Sequence, residues 1–129
     1  PTDKEFSAKI NFYDVHYNST HVMGTTGGNT ADMIECLELT AAGRISPAVM
    51  ITHIGGLAVA GETILDLPKI PGGKKLIYNH IDLPLIALTD LREKGKEDER
   101  FTALADIVDA HRGLWCPEAE EYLLANFTA

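Results

Sequence analysis

Seven consecutive residues, Gly24-Thr25-Thr26-Gly27-Gly28-Asn29-Thr30, separate a stretch rich in Ile, Phe, Tyr, Val and Thr from one with helical spacing. The glycines stop extended structure. Asn29 or Thr30 followed by Asp32 then opens a helix, because a side-chain oxygen caps the first N–H groups and a carboxylate meets the positive end of the dipole. Ile34, Leu37 and Ala41, with Met33, Cys36 and Thr40 one position behind, carry the helix on, and Gly43 supplies a left-handed stop. Before the loop, residues 10–17 and 20–25 read as two short strands broken at Asn18-Ser19. Strand, glycine loop and helix in this order predict an α/β chain.

The alternation continues. Val49-Met50-Ile51-Thr52 predicts a short buried strand before Gly55-Gly56, and Leu57, Ala60, Ile64 and Leu67 form one stripe of a helix ended by Pro68. Pro71-Gly72-Gly73 is a turn, and residues 74–78 read as a strand around Leu76-Ile77. From His80 the texture is helical, with an entry at residues 82–84 and Leu85, Leu88 and Leu91 spaced by three. The charged run 92–100 is a solvated connection; Phe101, Leu104, Ile107 and Val108 mark another helix stopped near Gly113, and Pro117 starts a last one carrying Tyr122 and Leu123. The expected fold is an α/β unit with a helical C-terminal appendage.

Composition decides which partners are excluded. Lys and Arg number 11 against 19 Asp and Glu, a net charge of −8 that repels nucleic-acid backbones and anionic membrane surfaces. No apolar run reaches the length of a membrane span and the N-terminus carries no signal peptide, so a soluble protein is expected. Two cysteines, Cys36 and Cys116, are too few and too far apart for a disulfide framework or a self-sufficient zinc site, which points to a reducing, cytoplasmic compartment. At about 100–200 residues per domain, 129 residues exclude a complete two-domain dehydrogenase. A first residue that is Pro, with no Met before it, suggests that residue 1 is not a natural start.

The glycine loop is the foremost functional candidate, since strand, loop and helix N-terminus aim backbone N–H groups at one point. Its spacing matches neither the P-loop nor the dinucleotide fingerprint, and a tight turn without ligand explains it as well. On that footing the chain could be a self-contained small α/β binding domain that holds an anion at residues 24–30. His16 and His21 face each other only if the chain turns at Asn18-Ser19; His53, His80 and His111 are isolated in sequence, and neither cysteine lies beside a second ligand, so no metal site is expected. Cys116, at a predicted helix start with no adjacent base, reads as structural. Lys74-Lys75 after Gly72-Gly73 form a small positive patch that fits either a phosphate contact or a solvated strand end.

The order of elements carries a family resemblance. Thr20-His21-Val22-Met23-Gly24-Thr25-Thr26-Gly27-Gly28-Asn29-Thr30-Ala31-Asp32-Met33 resembles the end of the cofactor domain in zinc-type medium-chain dehydrogenases/reductases. Leu39-Thr40-Ala41-Ala42-Gly43-Arg44-Ile45, Val49-Met50-Ile51-Thr52-His53 and Gly73-Lys74-Lys75-Leu76-Ile77 resemble the family's next segments toward the C-terminus. Asn11-Phe12-Tyr13-Asp14-Val15-His16-Tyr17-Asn18-Ser19-Thr20-His21, residues 24–30 and His53-Ile54-Gly55-Gly56 are most similar to the L-sorbose-1-phosphate reductase branch.

The resemblance implies the C-terminal portion of a Rossmann-type cofactor domain in residues 1–48, a return toward the catalytic domain in residues 49–78 and a helical extension in residues 79–129. The complete enzyme would use NAD(P)H and zinc to reduce a ketose phosphate such as L-sorbose 1-phosphate. The dinucleotide fingerprint and the Cys, His and Glu zinc ligands of the family are not in this chain, so it is expected to be inactive and to hold neither cofactor alone. Where the motif matches, Met23, Gly24, Thr25 and Thr26 would approach the nicotinamide, and Lys74 would lie near the cofactor. Expected partners are the remainder of the enzyme chain, a sugar phosphate and a second copy, paired along residues 20–25. Without its sheet neighbours the chain would expose apolar surface around Val22, Ile51 and Ile77.

Overall fold

The first helix stands where a strand is predicted. In the computed structural model, which describes residues 4, 5 and 7–128, α1 spans Phe12–Tyr17. Asn11 overrides the β-rich composition: its Oδ1 accepts from the Tyr13 N–H at 3.1 Å and its Nδ2 donates to Asp14 Oδ2 at 2.6 Å. The turn then brings the Tyr13 and Tyr17 rings to 4.4 Å between centroids, an i,i+4 pair that an extended chain could not make. Residues 20–25 form no strand either, and Val22 and Met23 are exposed.

Helix α2, Thr30–Ala41, begins and ends as the sequence predicts. Asn29 Oδ1 accepts from the N–H groups of Ala31 and Asp32, while Asp32 Oδ2 accepts from the Asn29 N–H at 2.7 Å, a reciprocal capping box. At the other end Gly43, at φ +68°, lets its own N–H reach Thr40 O and the Arg44 N–H reach Leu39 O. No α2 side chain is buried: Met33, Ile34 and Leu37 are each more than half exposed. The chain divides into two compact units, residues 1–36 and 37–129, with the boundary inside α2.

The second unit is built around β1, Ile51–Gly56, which follows a 3-10 turn at Pro47–Met50. The strand starts later than the apolar run predicts and continues through Gly55-Gly56, because it is the centre of a sheet among the described residues, between residues 74–78 and residues 86–87. β2, Lys74–Tyr78, lies parallel to it, with Ile54 opposite Leu76 and Gly56 opposite Tyr78. Between them the helical stripe forms α3, Ala60–Asp66, flanked by 3-10 turns at Leu57–Val59 and Leu67–Lys69. This pairing leaves Ile51 and Ile77 half-buried, where the family resemblance implies exposed apolar surface around them.

The leucines at 85, 88 and 91 do not make a helix. Ile86–Ala87 is β3, antiparallel to β1 with His53 opposite Ala87, and it leads through a 3-10 turn at Leu88–Asp90 into α4, Leu91–Lys94. Pairing with the open edge of β1 satisfies backbone groups that a helix would have left on that edge, so tertiary context overrides the period of three. α5, Glu99–Ala110, and α6, Pro117–Phe127, match expectation, and Arg92 within the charged run ties α4 to Asp106 and Asp109 of α5. Ile54, Leu91, Leu104 and Leu123 are fully buried in one core shared by the sheet and these helices. An isolated bridge between Ile81 and Thr128, and a 2.7 Å hydrogen bond from the Tyr78 hydroxyl to Glu120 Oε2, fasten α6 to the sheet side. Burial, then the Glu120 bond and charge, hold the Tyr78 phenol protonated well above its ordinary range. The observed class is α/β.

Candidate functional site

The turn before β2 is built by its own lysine. Lys75 Nζ donates to the carbonyls of Pro71 and Gly73, each at 2.9 Å, and lies 3.4 Å from that of Ile70, so this ammonium is consumed in shaping the loop. Lys74 alternates to the other face, is exposed, and makes no ion pair among the described residues. Beside it a cleft of about 480 Å³ runs between α3 and β2, walled by Ala60, Ile64, Leu67, Ile70 and Ile77 with Thr63 at its side. An apolar wall with one uncommitted ammonium on the rim suits an amphipathic anion, and the volume lies in the range of small-molecule sites.

The other residues singled out by resemblance lie in the first unit. Met23, Gly24, Thr25 and Thr26 are exposed in irregular chain, and a Cβ at Gly24 would meet nothing within 4 Å. Lys74 belongs to the second unit. The N-terminus of α2 is not free for an anion: Asn29 occupies the N–H groups of Ala31 and Asp32, and the Asp32 carboxylate already sits there.

His53 lies on β1 near this cleft's lysines. Its Nδ1 is 2.9 Å from Thr52 Oγ1, and burial first, then the Lys75 charge, lower its pKa below the usual 6.5, with Asp90 opposing. A depressed folded-state pKa means that the unfolded chain binds the proton more readily. The associated stability is complete above about pH 6.5 and is lost as pH falls through the lower folded value. Urea midpoints measured against pH are expected to drop on acidification below about 6.5, with a shallower drop for His53→Gln. Equal slopes for the two proteins would remove His53 as the cause.

One expectation is overturned in the second unit. His111 and Cys116 are not isolated: the turn after α5 reverses through Arg112 (φ 63°) and Gly113, bringing His111 beside Cys116 and Glu118 at the start of α6. No local spacing rule exposes this cluster, since its parts come from a helix end, a loop and the next helix.

Comparison with known proteins adds what geometry cannot. No family model and no solved structure matches the chain. The chain is 57% identical over 127 residues to the uncharacterized protein YggP of Escherichia coli K12, covering 98% of this chain and 30% of that protein. It is 53% identical over 124 residues to mannitol-1-phosphate 5-dehydrogenase of Aliivibrio fischeri, covering 96% of this chain and 29% of the relative. With L-sorbose 1-phosphate reductase of Klebsiella pneumoniae it shares 50% identity over 126 residues, covering 98% and 29%. The chain is homologous to a segment of each. It thus spans under a third of the length of these curated relatives, and the likeness to L-sorbose 1-phosphate reductase agrees with the resemblance read from the sequence. No helix among the described residues is long and apolar enough to cross a membrane.

Proposed function

We propose that this chain is the C-terminal segment of an NAD(P)-dependent oxidoreductase of the zinc-type medium-chain class, reducing a ketose phosphate such as L-sorbose 1-phosphate to the polyol phosphate. The observation that carries the reading is identity of 50% or more, across nearly the whole chain, to segments of two relatives whose names denote a dehydrogenase and a reductase of such phosphates. Leu57, Ile64 and Leu65, all more than half exposed in and before α3, support it as surface for the remainder of the enzyme to cover.

The chain's residues fit only a share of the cofactor site. The exposed Met23–Thr26, with open space at Gly24, would approach a nicotinamide, and Lys74 would offer a cation to a phosphate of cofactor or substrate; none of them supplies a zinc ligand. When bound, the reduced nicotinamide supplies a hydride to the carbonyl carbon. This chain's part is to bind and orient: the cleft wall excludes water on one side, and Lys74 fixes an anionic group at the rim.

Replacing the homologous segment of the Klebsiella reductase with this chain tests the reading. The chimera is expected to oxidise NAD(P)H with L-sorbose 1-phosphate, while the isolated chain does not. Lys74→Ala in the chimera should raise KM for the phosphate-bearing ligand about tenfold or more, the worth of one charge-assisted hydrogen bond. A folded chimera without turnover would overturn the assignment, as would turnover by the isolated chain.

A further inference from the structure

The geometry points to a second site: we propose that His111, Cys116 and Glu118 bind a zinc-class divalent cation through imidazole nitrogen, thiolate sulfur and carboxylate oxygen. One ligand atom from each residue lies within 4.8 Å of the others. Ligands on one zinc ion at bond lengths of about 2.0–2.3 Å sit about 3.5 Å apart, so the cluster must contract by roughly 1 Å. The exposed His111 and Glu118 side chains can supply that movement by small rotations about a fixed, buried Cys116.

The imidazole is oriented for the task. His111 Nδ1 lies 3.0 Å from the Ile107 carbonyl oxygen, a partner that can only accept, so Nδ1 carries the hydrogen. Its Nε2 then faces Glu118 Oε2 at 3.6 Å, on the side where an ion would sit. Metal-ligating histidines are characteristically held this way, with the second ring nitrogen donating to a carbonyl or carboxylate. Ser46, Val49 and Leu114 border the same cleft, whose volume of about 330 Å³ leaves room for a water as fourth ligand.

The donor set selects the ion. Thiolate and imidazole favour zinc and its transition-metal neighbours, whereas magnesium and calcium require oxygen ligands. Binding converts the Cys116 thiol to thiolate, forms the metal–sulfur bond and releases one proton to solvent. The positive N-terminal end of α6 opposes a cation, and two anionic ligands offset it.

Co²⁺ is the probe, because thiolate ligation produces a charge-transfer absorption that nitrogen and oxygen ligands do not. One Co²⁺ per chain is expected, with that band present, one proton released, and Zn²⁺ displacing the cobalt. Cys116→Ser should abolish the band. His111→Ala and Glu118→Gln, at exposed positions where folding is not at stake, should each weaken binding by at least about tenfold, by comparison with the loss caused by outer-shell changes alone. Cys36→Ser should leave the band unchanged. A band that disappears with Cys36→Ser overturns the proposal, as does affinity indifferent to His111→Ala, or absence of Co²⁺ binding by a chain whose circular dichroism shows it folded.

Discussion

Gly56→Ala is expected to destabilise the second unit by at least about 3 kcal/mol, the upper end of overpacking costs, and to lower the yield of soluble protein. Gly56 closes the central strand, and its N–H donates to Leu83 O at 2.8 Å. A Cβ there would run into the Ile81 carbonyl oxygen and lie 2.8 Å from Leu83 N. Both obstacles are main chain, and Ile81 is held by its bridge to Thr128, so no rotamer change relieves the clash. Gly61→Ala is the internal control: a Cβ at this helical position meets nothing within 4 Å, and the gain in helix propensity should stabilise by about 0.5–1 kcal/mol. Urea unfolding of the two variants separates steric conflict from backbone entropy. Gly56→Ala with an unchanged midpoint would contradict the close approach of residues 81–83 to β1.

Leu104→Ala should cost about 2–5 kcal/mol. Leu104 has no exposed surface and lies on the buried face of α5 with Phe101 and Val108. Truncation removes the transfer free energy of its side chain and leaves a cavity that Leu91 and Leu123, equally enclosed, cannot fill without leaving their own positions. With total domain stabilities of about 5–15 kcal/mol, the loss should appear as a large fall in the thermal midpoint. A loss below about 1 kcal/mol would mean that the helices close over the gap, outside the usual range for such truncations.

Local chemistry made much of this fold legible. An N-cap at Asn29 with Asp32 in the first turn, the Gly43 stop, Pro117 at the start of α6 and the strand after Gly72-Gly73 each depend on residues within a few positions, and each is found where sequence reasoning puts it. Failures occurred where a short signal competed with something else. In residues 10–17 the side-chain cap of Asn11 and the tyrosine pair outweigh β-propensity, and in residues 85–91 the vacant edge of β1 outweighs leucine spacing. The positions of Lys74 and of Met23–Thr26 came from family resemblance rather than physics, and only the structure distinguishes Lys74 from Lys75, whose charge is spent on loop carbonyls. The His111, Cys116 and Glu118 cluster was illegible because a chain reversal, not a repeat, assembles it.

The bare surface of α2 has a kinetic corollary. A helix of 12 residues with no buried side chain gains little from packing, and it is near the length at which isolated helices are marginal in water. Its amide protons should therefore exchange with deuterated solvent through frequent local fraying, while those around Leu104 and Leu123 wait for the whole second unit to open. One short polypeptide would then show two clocks, and covering α2 with further chain would slow only the faster.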